Sequence, residues 1–270
     1  MKPITAIIRA DFWQRRWSLL WWSVGVAAMV GIDTMLYQTV KSEAAQLAQA
    51  FQNLPKAVGA LFADGANLLS QPGFLSGRVY YLLLPLLLAI FSIGLGAGLI
   101  AKEERRGTLE LLLARPVGRT RLLLGKLSVF AAAMGLMGVI TAIFGVACLR
   151  PAGLDQISIR GVLLATLSTV LLSSIFGMLA FTLTAVGKPF SRMASGLAAL
   201  FAFVSYLTAS LESLADWLVW PARLMPYHYF HPTVMLATGS GSYKAMLGFA
   251  AVLLVLAVIS IIGFRRRDIS

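Results

Sequence analysis

KEERRGTLELLLARPVGRTRLLLGK, residues 102–126, lies between two long apolar runs and holds seven basic side chains: Lys102, Arg105, Arg106, Arg115, Arg119, Arg121 and Lys126. That pattern predicts a loop in water joining two membrane helices, and so basic a loop stays on the cytoplasmic side. Within it, Gly107-Thr108 breaks one helix and offers an N-cap to the next. Glu110 suits that helix's first turn, and Pro116-Val117-Gly118 ends it. Leu109, Leu112 and Leu113 stand at i, i+3 and i+4, an apolar ridge flanked by Glu110 and Arg115. Such a ridge suits a partner's groove, and it equally suits the headgroup layer of a membrane.

The composition sets the wider frame. Hydrophobic residues make up 59% of the 270 and charged residues 13%, against about a quarter charged in a soluble domain. The chain is therefore expected to be an all-α integral membrane protein. Its net charge of +12 is not a nucleic-acid footprint, because the basic residues punctuate apolar runs instead of forming one face of a soluble module. The single cysteine, Cys148, provides neither a disulfide framework nor a cysteine metal site. No small-residue cleavage site follows a short apolar core near the N-terminus, so the first span is expected to remain as an anchor.

A run of about 20 apolar residues crosses the hydrocarbon core. Six stretches qualify, near residues 17–37, 79–101, 127–149, 161–185, 193–211 and 244–264. With an even number both termini share a side. Of the 23 Lys and Arg, 16 fall on the side of the termini and 7 on the other, which predicts cytoplasmic termini in a plasma-membrane protein. Residues 1–16 carry Lys2, Arg9 and Arg16 on one helical face, consistent with an interfacial helix, although Asp11 and Arg15 interrupt its apolar side of Ile4, Ile8 and Phe12. Asp11 and Arg15 are spaced to pair with each other. Trp13, Trp17, Trp21 and Trp22 are expected at headgroup level. Outside, residues 38–78 and 212–243 are too long and too apolar for simple connections. Both should fold as short helices, divided at Pro55, Gly65 and Pro72-Gly73 in the first and at Pro221, Pro226 and Pro232 in the second. Trp217, Trp220, Tyr227, Tyr229 and Phe230 are expected at the outer interface. Gly94, Gly96 and Gly98, with Gly135 and Gly138, mark close helix approaches, within one subunit or between two.

Chemistry is sparse. Asp33 is the one acid well inside a predicted span; near the span's outer edge, it either reaches water or contacts a substrate. His228 and His231 alone do not make a zinc site, and packing at the interface is the simpler reading. Gly125-Lys126 fails as a phosphate loop, because Leu127 stands where Ser or Thr is required. No GxSxG elbow and no paired intramembrane acids occur. No catalytic, cofactor or metal site is expected in this chain.

The run from Lys102 to Val117, with Arg119 and Leu124-Gly125-Lys126, resembles the loop between the second and third spans of ABC-2 type exporter permeases. Weaker agreements lie in Phe74-x-x-x-Arg78 leading to Tyr81–Pro85, in Pro226–Pro232 and in the closing Phe264–Ile269. The resemblance implies six spans, an amphipathic N-terminal helix, short outer helices and a dimer of permeases, either two copies or a copy and a homologue. It also implies separate ATPase subunits that hold ATP and Mg. On this resemblance the Leu109 ridge is the coupling helix, and Glu104, Arg105, Gly107, Thr108, Leu109, Glu110, Leu112, Leu113, Arg115 and Pro116 would meet the ATPase. A non-transporting membrane scaffold whose loop docks another cytoplasmic protein is the competing reading. An ion-coupled carrier would want more buried ionisable groups than Asp33.

Overall fold

The structure, a computed structural model, describes residues 3–42, 70–105, 118–187 and 190–266. The ridge residues 107–116 lie outside the described residues. Helices account for nearly all of the rest, with no strand among the described residues. Six stretches are long and apolar enough to cross a membrane, as expected.

The first helix, α1 (Pro3–Met35), runs unbroken. Its 33 residues span about 50 Å at 1.5 Å each, well beyond an about 30 Å hydrocarbon core. The N-terminal amphipathic segment is thus the first turns of α1 and not a separate interfacial element. Trp13, Trp17 and Trp21 point outward in one stripe, whereas Trp22 turns inward against Phe91, ring centroids 5.4 Å apart. A short α2 (Tyr37–Ser42) follows.

Pro72-Gly73 begins a helix where the sequence suggested a break. Ser70 caps α3 (Gln71–Leu75), its hydroxyl accepting from the Gly73 amide at 3.1 Å, and Pro72 sits in the first turn, where no N–H is needed. The chain continues through a π-helical stretch, Ser76–Leu83, into α4 (Leu84–Arg105). Pro85 supplies a reason for the irregularity: it has no N–H for the carbonyl of Tyr81, four residues back. That carbonyl instead accepts a hydrogen bond from the Tyr227 hydroxyl.

Helix α5 (Arg119–Ala147) returns across the bundle. Helix α6 (Ile159–Val186) starts at an N-cap Ser158, whose hydroxyl accepts from Gly161, and stops at Gly187 with φ 99°. It is the central helix, packed by α4 and α5 and by three elements still to come. These are α7 (Ala194–Leu211), α9 (Pro232–Thr238) and α10 (Tyr243–Arg266). Between α7 and α9 lies α8 (Asp216–Arg223), with Pro221 inside it; Pro226 and Pro232 open their own short helices as boundaries. Outward faces of α5, α7 and α10 expose large apolar side chains such as Val139, Ile143, Leu200, Phe203 and Leu254, which hydrocarbon accepts at no cost.

Apolar surface in lipid gives helices little reason to associate, so close packing and hydrogen bonds must hold the bundle. The α4–α6 seam supplies both. A Cβ on Gly96 would lie 2.1 Å from the Gly177 carbonyl oxygen, and one on Gly177 would lie 2.6 Å from Ser92. Ser92 donates to the Ser173 carbonyl at 2.7 Å, and Ser173 to that of Pro85 at 3.3 Å. Gly98 faces Arg15 and Gly138 faces Val170, whereas Gly94 and Gly135 meet nothing within 4 Å. The glycines the sequence singled out therefore divide into contact points and exposed positions.

The aromatic residues of 212–243 divide in the same way. Trp217 and Trp220 are exposed, while Tyr227 is buried against Tyr81 and Tyr206 and Phe230 against Tyr227. Burial pushes the Tyr227 phenol well above its ordinary pKa, and the neighbouring Tyr81 and Tyr206 act in the same direction, so the hydroxyl keeps its proton and donates to Tyr81. Tyr227→Phe leaves that carbonyl without its donor, which costs about 1–3 kcal/mol. A lowered unfolding temperature in detergent, with unchanged membrane insertion, is the expected result.

Candidate functional site

The bundle has two polar ends. The basic end gathers the first turns of α1, the last of α4, the first of α5 and the last of α10, where Arg119 donates to the Arg265 carbonyl at 3.4 Å. Glu104 is half-buried at the end of α4, and Arg105 is that helix's last residue. Gly107, Thr108, Leu109, Glu110, Leu112, Leu113, Arg115 and Pro116 fall outside the described residues. Gly118 then precedes α5. The stretch 102–126 is thus less of a loop than its charge suggested, since residues 102–105 and 119–126 continue the long helices.

Lys126 departs furthest from the sequence reading. Expected in water, it is 1% exposed. Its Nζ donates to Glu103 Oε1 at 2.5 Å and to Asp11 Oδ2 at 3.3 Å, joining α5 to α4 and α1. Arg15 donates to the Gly98 carbonyl at 2.9 Å. Asp11 is itself buried and answers Lys126 as well as standing near Arg15. Ions taken from water cost several kcal/mol each unless paired and hydrogen-bonded, and this group meets that condition by mutual contact. The sequence alone does not mark it, since Leu122, Leu123 and Leu124 are alike apolar. Leu122 and Leu123, at i−4 and i−3 from Lys126, are both buried and set the inward face on which Lys126 also falls. The interruption of the α1 apolar face by Asp11 and Arg15 has the same cause: that face meets protein.

At the opposite end Asp33 is buried, and Arg78 of the π-helical stretch donates to its Oδ1 at 2.6 Å. The carboxylate therefore has a protein partner, which neither of its two sequence readings included. Gln71 ties the same end together, donating to the Gly153 carbonyl and accepting from the Gln156 amide. His228 shares a 2.6 Å hydrogen bond with Glu212. Among the described residues no three His, Cys, Asp or Glu side chains are grouped to hold a metal. Among the described residues the buried polar groups between the two ends are hydroxyls, including Thr141, Ser168, Thr169 and Thr182. A cleft of ≈ 630 Å³ opens between α7 and α10, floored by Ile175 and Leu179 of α6 and lined by Phe201, Phe249 and Val252, with Lys244 at one margin. Its walls are almost wholly apolar.

Six apolar helices with polar groups gathered at the two ends define a multi-pass membrane protein. A family model described as ABC-2 family transporter protein matches residues 5–269. The chain belongs to that family, and it is the membrane-spanning permease component of an ABC transporter, a class that works with an ABC ATPase. No curated protein matches the chain.

Proposed function

We propose that this permease serves ATP-driven export. Two permease copies, or one and a homologue, enclose a path through the membrane, and separate ATPase subunits holding ATP and Mg dock on the Leu109–Pro116 segment. Both termini and that segment face the cytoplasm. The observation that carries the reading is the family match across residues 5–269. The charge asymmetry supports the orientation, and a bundle middle whose buried polar groups, among the described residues, are hydroxyls supports reliance on a partner for energy, because ion-driven carriage uses intramembrane ionisable groups. Asp33, held by Arg78, is assigned to bracing α1 against the π-helical stretch that leads into α4. Isolation of the tagged chain from its native membrane is the test. A stoichiometric ABC ATPase is the expected companion; a different cytoplasmic protein in its place would favour the scaffold.

Orientation is checked separately by cysteine labelling. Cys148, half-buried with its thiol pKa raised by burial, is first replaced by Ala. For the outer probe Ser240 is chosen, being exposed. The neighbouring Gly239 has φ 63°, and a Cβ there would lie 2.7 Å from the Ser158 hydroxyl. Ser240→Cys should react with an impermeant maleimide outside intact cells, and Gly118→Cys only after permeabilisation. Labelling of Gly118→Cys from outside would reverse the orientation.

A further inference from the structure

The charges at the basic end join three helices, and two of those helices lead directly into residues 106–117. Glu103 stands two residues before the end of α4, and Lys126 lies two turns into α5. Asp11 contributes α1, and Arg15 of the same helix bonds the α4 backbone at Gly98 while lying within electrostatic reach of both carboxylates. Two cations and two carboxylates thus balance, Lys126 and Asp11 buried and Glu103 and Arg15 half-buried.

We propose that Asp11, Arg15, Glu103 and Lys126 form a positioning clamp that makes α1, α4 and α5 move as one body when the intervening segment is displaced, so that an ATPase stroke reaches the bundle. The inference rests on the ATPase-coupled reading above. Its physical basis is the cost of separation: prising Lys126 from either carboxylate takes a counter-ion from a buried ammonium. A push on residues 106–117 therefore cannot splay α4 from α5. It is passed on instead, through the backbone contact of Gly96 with Gly177, to the central helix α6. Packing alone would resist the same motion less sharply, because apolar side chains slide past one another without exposing charge.

The test separates transmission from stability. Lys126→Met alone leaves two carboxylates facing the single cation Arg15 and should lower membrane abundance. The triple variant Asp11→Asn, Glu103→Gln, Lys126→Met leaves Arg15 as the one charge of the group, half-buried and still bonded to the Gly98 carbonyl, and neutral replacements of buried ion groups are commonly tolerated. Glu103→Gln alone removes the charge from the Lys126 tie to α4 and leaves Lys126 paired with Asp11. Each is reconstituted with its ATPase in nanodiscs, and hydrogen exchange is compared between nucleotide-free and ATP–vanadate-trapped states over residues 71–83 and 226–238, at the far end. The wild-type complex is expected to show a nucleotide-dependent change there. The triple variant and Glu103→Gln should retain the ATPase and lose that change, while Lys126→Arg, which keeps the cation, should recover it. A wild-type response in the triple variant or in Glu103→Gln would overturn the clamp. A wild-type chain that holds no ATPase would overturn the coupled reading and the clamp with it.

Discussion

Gly96→Ala is expected to destabilise the bundle by about 2 kcal/mol or more, despite alanine being the better helix former. Alanine gains about 1 kcal/mol over glycine in a helix interior. Against this stands a methyl group 2.1 Å from the Gly177 carbonyl oxygen, a contact with backbone that no rotamer change relieves. Overpacking costs about 1–3 kcal/mol even where side chains can yield, and here α4 must move away from α6. That displacement also stretches the Ser92 and Ser173 bonds to facing carbonyls. Gly94→Ala is the matched control, since that position is exposed and meets nothing within 4 Å; it should be neutral or slightly stabilising. Thermal unfolding in detergent compares the two. Equal stability of Gly96→Ala and Gly94→Ala would mean that the α4–α6 seam is looser than the geometry states. Gly96→Leu should prevent accumulation of the folded protein.

The spans were legible because hydropathy and length state them directly: predicted residues 161–185 and 193–211 became Ile159–Val186 and Ala194–Leu211. The short helices of 212–243 were readable from its apolar content, while residues 43–69 of the other region, with the expected breaks at Pro55 and Gly65, lie outside the described residues. Their boundaries were less so, because proline has two opposite uses. Pro221 lies within a helix and Pro72 in a first turn, while Pro226 and Pro232 open new ones. The site was legible in part. The segment proposed to meet the ATPase is nominated by the sequence and its resemblance, and its ridge lies outside the described residues. The ion cluster behind it escaped the sequence reading, since Asp11, Glu103 and Lys126 sit where topology makes charged residues ordinary. Lys126 differs from Arg121 only in which face of α5 it occupies, and that distinction needs the neighbouring helices. Asp33 posed the same difficulty, because its partner Arg78 stands 45 residues away.

Leu112→Asp carries the other large expected effect and bears on the coupling itself. If the ridge of Leu109, Leu112 and Leu113 seats in a groove of the ATPase, an aspartate there places an unpaired charge in a desolvated contact. Breaking burial in that way costs about 3–5 kcal/mol, and a loss of about 3 kcal/mol weakens association more than about 100-fold. Insertion should survive, because the position lies outside the predicted spans, and Val117→Asp in the following turn should do less. The decisive measurement is therefore the amount of ATPase recovered per chain when wild type and Leu112→Asp are purified from membranes at equal abundance. A stoichiometric ATPase with wild type and almost none with Leu112→Asp is the predicted result. A full complement of ATPase on the Leu112→Asp chain would contradict it.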